Sequence, residues 1–471
     1  MQKGTIDFTN GKVLPKLVVF VIPMALATLL QVFFNTADII IVGQFSGENG
    51  SLYQAAVGST SSLVHLIVNF FIGVSIGSGV VMANAFGAKD DEKQFKVVHS
   101  SAAISLVSGL AILVVGALFS KPLLKLMNSP EDVIDLSATY LSIYFLGAPG
   151  LIVYNFGAGI LRGIGETKKP LVYLFVSGLV NLAINFITVV FFGMNVVGVA
   201  LGTAVSQYLS AALVVIYLVK TDTTAKLFIK KIKFHSAETG KILLVGLPMG
   251  VSSSLFSISN VMIQSFVNGY GNRAIAGDSI GKNVETYLDA FSSSVEKAVV
   301  TMIGQNMGAK KFERFKPIIL WGMAACFAVC ALYGVIVVTL GKYISLIFNS
   351  DPVVGEWAYK RLLVMGSTEW LLMIMYSYGG ALRGMGYSIV PMIVNVFFTC
   401  VVRILSLLFI YGLFPSSVVL DMPVALPPIE IIYLLYPITW LLSGLVQTID
   451  YYLCLNKEKK KYAQNNKKQV A

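Results

Sequence analysis

Charged residues are scarce in this chain. Only 13% of its 471 residues are Asp, Glu, Lys or Arg, whereas soluble proteins carry roughly 25%. Hydrophobic residues make up 56% of the sequence. This composition excludes an ordinary soluble multidomain protein and favours a protein that is embedded in lipid.

Cysteine, histidine and nucleotide-binding loops are also scarce. The four cysteines show no paired spacing in a hydrophilic segment, which excludes a disulfide-rich secreted scaffold. The three histidines are scattered, so neither a transition-metal site nor a histidine-based catalytic triad is predicted. The sequence contains no Gly-Lys-Ser/Thr loop for binding nucleotide phosphates, so an ATP-driven pump is not predicted. We therefore predict that the chain is not an enzyme and has no organic cofactor.

Long apolar stretches dominate what is present. A bilayer core about 30 Å thick needs roughly 20 apolar residues per helix, and the sequence contains twelve such stretches. The runs are continuous rather than alternating, which favours helices over a β-barrel. We predict an all-α polytopic membrane protein with twelve transmembrane helices. The predicted spans are 17–43, 52–82, 98–119, 136–160, 170–193, 196–219, 242–268, 284–307, 317–340, 358–381, 388–413 and 430–455.

The positive charges predict the orientation of these spans. With the amino terminus in the cytoplasm, 26 of the 35 Lys and Arg residues fall in cytoplasmic segments and 7 on the external side, where Lys360 and Arg361 at the outer edge of the tenth span are included. Cationic residues concentrate on the cytoplasmic side of membrane proteins, so both termini are predicted to be cytoplasmic in a plasma (inner) membrane. The net charge of +11 therefore indicates contact with anionic lipid rather than with nucleic acid.

Short motifs recur at a constant distance and indicate an internal repeat. Gly-Ala-Lys occurs at 87–89 and at 308–310, and Leu-Arg-Gly occurs at 161–163 and at 382–384. The two copies of each motif have an identical separation, and Pro-Met recurs in the first span of each half with a slightly longer one. Six spans per half give both halves the same orientation. The repeat therefore predicts two pseudo-symmetric six-helix lobes, an arrangement found in secondary transporters.

The repeat also predicts the domain boundaries. We expect an amino-terminal lobe over residues 1–220 and a cytoplasmic linker over 221–241. A carboxy-terminal lobe should follow over 242–455, with a basic cytoplasmic tail over 456–471.

These motifs resemble those of a known transporter family. The proline of the first span, the segment Asp38–Gly43 and the paired turns are similar to those of the multidrug and toxic compound extrusion (MATE) family of the MOP flippase superfamily. The resemblance covers about Pro15 to Leu453. It implies two six-helix lobes that alternate between inward-facing and outward-facing states. It also implies multidrug efflux, the export of organic, often cationic xenobiotics, by antiport with Na⁺ or H⁺.

Polar residues inside spans are costly in a membrane and therefore mark candidate sites. Three spans of the first half carry such residues at helical spacing, which places them on one face. Asp38 is the charged member, and its carboxylate could bind a small cation or a proton. The alternative is that the amides and hydroxyls only join helices. The residues at this spacing are Gln31, Asn35, Asp38, Asn181, Asn185, Thr188, Thr203, Gln207 and Ser210.

The resemblance implies a role for five of the polar residues in binding the coupling cation. Asp38 matches the acid of the family's first helix, and Asn181 and Asn185 match its polar pair on helix five. Some members have Asp at the position of Asn185, so a site with two carboxylates is not expected here. Thr203 and Asn155 resemble cation-site residues of helices six and four.

The second half carries more charge within its spans. Lys297 and Arg403 are predicted near the bilayer midplane and need anionic partners. Glu296 is the expected partner, with Glu369 or Asp289 as alternatives. The network either stabilises this half or handles substrate or protons. The residues assigned to a substrate or ion-pair network are Gln31, Asn35, Glu285, Asp289, Glu296, Lys297, Glu369 and Arg403.

Transport is thus the function that the sequence favours. The expected partners are a small organic substrate and the lipid bilayer, and the protein is expected to work as a monomer. A flippase for a lipid-linked or polyisoprenoid substrate is the alternative within transporters, although such proteins typically have fourteen spans. An ion channel is the alternative from another class, although no repeated selectivity filter is visible.

Overall fold

The computed structural model describes residues 5–126, 131, 133–413 and 427–470. All regular structure in these residues is helical, which confirms the predicted fold class. The helices are α1 (Val13–Phe45), α2 (Gly50–Gly87), α3 (Asp91–Leu126), α4 (Ile134–Gly163), α5 (Lys168–Phe186), α6 (Asn195–Lys220), α7 (Ser236–Asn268), α8 (Asn272–Gly308), α9 (Phe315–Phe348), α10 (Pro352–Thr368), α11 (Leu372–Gly384), α12 (Ile389–Asn395), α13 (Arg403–Leu413) and α14 (Ile429–Val470).

Irregular helical segments interrupt three predicted spans. The fifth span changes from α5 to a π-helix at Ile187–Phe191, and the eleventh contains a π-helix at Val396–Val402 between α12 and α13. A 3₁₀ turn at Glu369–Leu371 joins α10 to α11 within the tenth span. The fifth span of each half therefore has a π-helical turn, a feature that often accompanies functional sites.

Ten helical segments of the described residues are long and apolar enough to cross a membrane. The two other predicted spans exist as α8 and as the α10–α11 pair, which are more polar because they carry most of the intramembrane charges. The count is therefore consistent with twelve spans, and the chain is a multi-span membrane protein.

The helices form two compact units. The first unit contains the described residues up to Lys12, Val18–Ser254 and Gly304–Lys310. The second contains Val13–Leu17, Leu255–Ile303 and the described residues from Lys311 onward. The predicted linker covers the connection between α6 and α7 and the first residues of α7, and the predicted tail continues α14. The predicted domain boundaries remain predictions.

The centre of the first unit is α4, which packs against α2, α3 and α6. Buried apolar residues such as Phe145 and Ile152 fill these contacts. At two glycines of α2 the backbone of α7 approaches closely. A methyl group at Gly73 would overlap the backbone of Gly250, and one at Gly77 would overlap the carbonyl oxygen of Ile242. Small residues four apart let α2 and α7 approach at backbone distance, as in many membrane helix pairs.

The repeated turns adopt repeated conformations. Lys89 and Lys310 both have left-handed backbone angles, with φ of 54° and 59°. Gly165 and Gly386, which have the same separation in the sequence as the two lysines, have φ of 83° and 94°. Non-glycine residues adopt positive φ infrequently. Matched left-handed lysines therefore support the internal duplication that the sequence predicts.

In the second unit α14 packs against α10, α11 and α13, and α9 packs against α10 and α11. A buried row of Thr439, Ser443 and Gln447 occupies one face of α14. Ser443 and Gln447 both donate hydrogen bonds to Asn395 Oδ1 on α12, at 2.9 and 2.5 Å. The contact between the fifth and sixth spans of this half is therefore polar.

Candidate functional site

Asp38 lies on α1 among uncharged polar side chains of α5 and α6. Its side chain is 7% exposed. Asn185 Nδ2 donates a hydrogen bond to Asp38 Oδ1 at 2.5 Å, and Thr203 Oγ1 donates to Asp38 Oδ2 at 3.3 Å. The structure thus brings together the acid, one amide and the hydroxyl that the sequence predicted for this site.

Asn181, one turn before Asn185, completes the group. The amide orientation that satisfies both of its polar atoms lets its nitrogen donate to Asp38 Oδ1 at 2.9 Å, while its oxygen accepts from the Thr203 backbone N–H at 3.2 Å. This orientation is assigned from the hydrogen-bond network. We call Asp38, Asn181, Asn185 and Thr203 the carboxylate cluster.

Two glycines let the three helices approach one another at the cluster. The ring of Phe34, one turn before Asp38, occupies the space where Gly178 of α5 would carry a Cβ atom. Asn185 Oδ1 occupies the equivalent space at Gly202 of α6. Larger residues at these two positions would push α5 away from its neighbours, so glycine here is a geometric requirement of the site.

An apolar group closes one end of the carboxylate cluster. Val42 follows Asp38 by one turn, Val189 follows Asn185 by one turn, and Val199 precedes Thr203 by one turn. Water is therefore excluded from this side of the carboxylate. The buried apolar residues are Val42, Ala56, Val57, Val133, Tyr140, Val189, Val196, Val199 and Ala200.

The charge of Asp38 has no cationic partner among the described residues, and its hydrogen-bond donors are all neutral. In addition, Asn185 Oδ1 is buried and has no hydrogen-bond donor. A buried carboxylate and an unpaired carbonyl oxygen in one cluster are hard ligands that suit a small cation.

Three other predicted residues lie outside the cluster's hydrogen bonds. Asn155 is buried on α4, but its amide donates to the Leu151 carbonyl oxygen of its own helix at 2.8 Å. Gln31 and Asn35 share the Asp38 face of α1 and are exposed.

The second unit contains a buried ion-pair network centred on Arg361. This guanidinium donates to both carboxylate oxygens of Glu285, at 2.8 and 2.7 Å, and to Asp278 Oδ1 at 2.9 Å. Asp278 also pairs with Lys282 at 2.9 Å and accepts from Tyr433 Oη at 3.1 Å. Two carboxylates and two cations compensate one another, as a stable buried network requires.

The remaining predicted charges of this unit are distributed around the network. Glu296 forms an ion pair with Arg383. Asp289 accepts from Tyr376 Oη at 3.3 Å and lies close enough to Lys297 for their charges to attract. Glu369 is buried in the 3₁₀ turn that joins α10 to α11.

The expected pairing of Arg403 with Glu296 is wrong, because Arg383 takes that carboxylate. Arg403 instead donates from Nε and Nη2 to Thr439 Oγ1, at 3.1 and 2.5 Å. It also lies 4.2 Å from the centroid of the Tyr436 ring.

Sequence reasoning missed Asp278 and Arg361 as members of the charged network. Asp278 precedes Glu285 by seven residues and therefore shares its helical face. The signal was present, but the predicted eighth span began at residue 284, six residues after Asp278. Arg361 was counted among the external charges at the edge of the predicted tenth span, whereas it is 3% exposed within α10.

One family model matches both halves of the chain. The model described as MatE matches residues 23–187 and again residues 248–408. Its two matches cover more than half of the chain and are separated by nearly the same distance as the short repeated motifs.

Curated relatives match over most of their length. The Bacillus subtilis (strain 168) protein YoeA is 27% identical over 392 residues, which cover 80% of this chain and 82% of the relative. The multidrug export protein MepA of Staphylococcus aureus (strain N315) is 26% identical over 436 residues, or 91% of this chain and 95% of the relative.

Solved structures show the same fold at low identity. A crystal structure of MATE in the bent conformation is 20% identical, has a TM-score of 0.87, and aligns with 98% of this chain and 100% of its own. An outward-facing multidrug resistance MATE transporter of the MOP superfamily gives a TM-score of 0.85 at 20% identity, with 98% and 99% of the two chains covered. Family model and fold agree, and the chain belongs to the MatE family of MATE transporters.

Proposed function

We propose that this protein is a secondary active exporter of organic, cationic or amphipathic compounds, driven by antiport with Na⁺ or H⁺. The coupling cation binds at the carboxylate cluster, and Asp38 carries its counter-charge. Alternating access of the binding sites to the two sides of the membrane couples the two fluxes.

The observation that carries this proposal is the isolation of Asp38. Its carboxylate is buried within a membrane-spanning helix and contacts only neutral donors. An uncompensated buried charge is strongly unfavourable in a medium of low dielectric constant. Binding of a monovalent cation neutralises the Asp38 carboxylate. The free energy of the first unit should therefore be substantially lower when the cation is bound.

The ligand set accommodates either cation. Na⁺ would take oxygen ligands from the Asp38 carboxylate, from Thr203 Oγ1 and from the unpaired Asn185 Oδ1. A proton would convert Asp38 to its neutral acid, which removes the cost of the buried charge directly. The single carboxylate matches a single monovalent charge in both cases.

Access of a cation to the cluster is supported by the face of α1 that Asp38 shares with Gln31 and Asn35. Both amides are exposed although they lie within an apolar span. Amide groups that face lipid are costly, so they are expected to face a water-filled space. A hydrated path along this face would bring cations to Asp38.

Export of varied organic compounds is supported by the relatives, because MepA is a multidrug export protein. The chain has 16 methionines, and 11% of its residues are aromatic. Such side chains offer adaptable apolar surface and cation–π contacts to bulky organic cations. We propose the same substrate class here, with the protein acting as a monomer in the plasma membrane.

The cytoplasmic position of both termini also belongs to this proposal. It is supported by the excess of Lys and Arg in alternate connections. In a cysteine-free background, Lys342→Cys should react with a membrane-impermeant maleimide added outside intact cells, whereas Lys226→Cys should react only after the membrane is permeabilised. Labelling of Lys226→Cys from outside would reverse the orientation.

Transport in liposomes tests the coupling. Purified protein is reconstituted, and the movement of a fluorescent organic cation such as ethidium is followed under an imposed Na⁺ or H⁺ gradient. The parent protein should move ethidium against its gradient with one of the two cations, and Asp38→Asn should abolish this uphill movement. The gradient that drives the parent identifies the coupling cation.

Asp222→Asn is the matched control, because it makes the same chemical change at an exposed aspartate of the first unit. It should transport like the parent. Ethidium movement that ignores both gradients would overturn antiport, and full activity of Asp38→Asn would remove the coupling role of Asp38. Ion conduction without saturable transport of ethidium would instead indicate a channel.

A further inference from the structure

Arg403 is a fully buried arginine near the middle of the membrane. It directly follows the π-helix Val396–Val402, and its side chain is 0% exposed. The eleventh span begins at Ile389, so a rise of 1.5 Å per residue places Arg403 about 21 Å along it. A bilayer core is about 30 Å thick. Ten more residues, about 15 Å, follow Arg403 within α13 to Leu413, so the guanidinium is far from both ends of the span.

The positive charge of Arg403 is not compensated within the described part of the second unit. Its hydrogen bonds go to the neutral Thr439 hydroxyl, and no Asp or Glu of these residues lies within ion-pair distance. The Tyr436 ring contributes a cation–π contact at 4.2 Å. Such a contact stabilises a buried cation by much less than the burial of an unpaired charge costs.

Two hydrogen-bond donors next to the same ring have no acceptor. Arg403 Nη1 is buried and unpaired, and so is the indole Nε1 of Trp440. Trp440 is 4% exposed, and its ring packs edge-on against Tyr436 at 5.9 Å. An indole can only donate, and a guanidinium can only donate. The described residues supply no acceptor for Arg403 Nη1 or Trp440 Nε1, so a bound ligand would have to provide one. An anionic ligand would also neutralise the charge of Arg403.

The duplication gives this arrangement a counterpart in the first half. There, the fifth and sixth spans hold Asp38 of the first span through Asn181 and Thr203, whereas in the second half the sixth span holds Arg403 of the fifth span through Thr439. In the register of the repeated motifs Arg403 corresponds to Leu182, the residue directly after Asn181. Arg403 therefore lies on the helix that is equivalent to α5, one residue beyond the position that corresponds to Asn181.

We propose that Arg403 and Trp440 form a binding site for one monovalent anion in the second unit. The anion accepts hydrogen bonds from Arg403 Nη1 and Trp440 Nε1 and supplies the missing counter-charge. The shared chemistry fits two sources, chloride from solution and the carboxylate of an organic compound. The site is distinct from the carboxylate cluster and needs no coupling cation there.

Equilibrium binding of radioactive chloride to the purified full chain in detergent tests the proposal. The parent protein should bind chloride saturably at one site, and its unfolding temperature should rise as the sodium chloride concentration is raised. Arg403→Gln should abolish both effects. Trp440→Phe keeps the ring and removes one donor, so it should weaken binding about tenfold. Competition by benzoate at low concentration would assign the site to a carboxylate compound, and the absence of competition would assign it to chloride.

Three controls make the result specific. Arg273→Gln removes an exposed arginine of the same unit and should bind like the parent. Asp38→Asn should also bind like the parent, so that loss of coupling and loss of anion binding are separable. Arg403→Lys keeps the charge and should retain measurable binding if the protein folds. Absence of saturable binding of both chloride and benzoate to the parent, or unchanged binding in both Arg403→Gln and Trp440→Phe, overturns the proposal.

Discussion

Gly87 and Gly308 each lie against a backbone carbonyl oxygen of the helix that carries the other glycine. The space beside Gly87 is filled by the carbonyl oxygen of Gln305, and the space beside Gly308 is filled by the carbonyl oxygen of Asn84. Gln305 follows Asn84 in the sequence at the same separation as Gly308 follows Gly87. All four residues belong to the first unit, so the repeated motif builds a reciprocal junction between the ends of α2 and α8.

This junction predicts that neither glycine tolerates a side chain. In Gly87→Ala or Gly308→Ala, the new methyl group would overlap a backbone oxygen that cannot rotate away. Each substitution should lower the free energy of unfolding by about 1–3 kcal/mol. The measurement is thermal unfolding in detergent. Because both changes act on one junction, the double variant should lose less than the sum of the two losses.

Gly58→Ala is the control for this prediction, since Gly58 lies on α2 with open space beside it. It should unfold at the temperature of the parent or slightly above. Strict additivity of Gly87→Ala and Gly308→Ala would contradict a shared junction.

The amino-terminal segment is fastened to the same junction. Gln305 Oε1 accepts from the Phe8 backbone N–H at 2.9 Å, and Gln305 Nε2 donates to the Gly163 carbonyl oxygen at 2.9 Å. The side chain of Phe8 is completely buried against Phe20. One glutamine therefore connects the segment, the end of α4 and the end of α8.

Gln305→Ala should release this segment. Thr9 is 5% exposed, so in a background without other cysteines a Thr9→Cys thiol should react slowly with maleimide. Adding Gln305→Ala should accelerate that reaction by at least tenfold. Asn10→Cys is the control, because Asn10 is already exposed and should react quickly in both backgrounds. Equal protection of Thr9→Cys with and without Gln305 would mean that the glutamine does not fasten the segment.

Hydropathy and the repeat were sufficient to predict the fold. A membrane span needs a long apolar run, so the helices of this chain follow its apolar stretches closely. The exceptions are informative. The eighth helix begins at Asn272, twelve residues before the predicted span, because its first turns are polar and carry Asp278. Packing against Arg361 stabilises those turns, and a hydropathy scan does not detect such packing.

The site could be predicted only in part. Spacing shows which side chains share a face, and this was enough to group Asp38 with residues of α5 and α6. It does not show which faces meet. The sequence therefore predicts Glu296 as the partner of Arg403. In the structure Glu296 pairs with Arg383, which belongs to a repeated motif that was predicted only to form a cytoplasmic turn.

Gly202 should control the carboxylate cluster without belonging to its chemistry. In Gly202→Ala, the methyl group would take the place of Asn185 Oδ1 and displace that side chain from Asp38. The acid remains, so uphill transport should persist with an apparent affinity for the coupling cation about tenfold lower, equivalent to about 1.4 kcal/mol. Transport rates measured across a series of Na⁺ or H⁺ concentrations give this affinity.

Gly240→Ala serves as the comparison, because Gly240 lies on α7 of the same unit with no atom close to its missing side chain. Its cation affinity should match that of the parent. An unchanged affinity in Gly202→Ala would show that Asn185 does not contribute to binding.

Arg361 should be the most sensitive charged residue of the second unit. In Arg361→Met, the carboxylates of Asp278 and Glu285 lose their buried partner, which should lower the free energy of unfolding by about 3–5 kcal/mol. Converting the acids as well, in Asp278→Asn/Glu285→Gln/Arg361→Met, removes the unpaired charges and should recover most of that loss. Thermal unfolding in detergent measures both variants. Recovery would identify charge balance as the role of the network, whereas a triple variant no more stable than Arg361→Met would indicate that the geometry of the guanidinium itself holds α8 to α10.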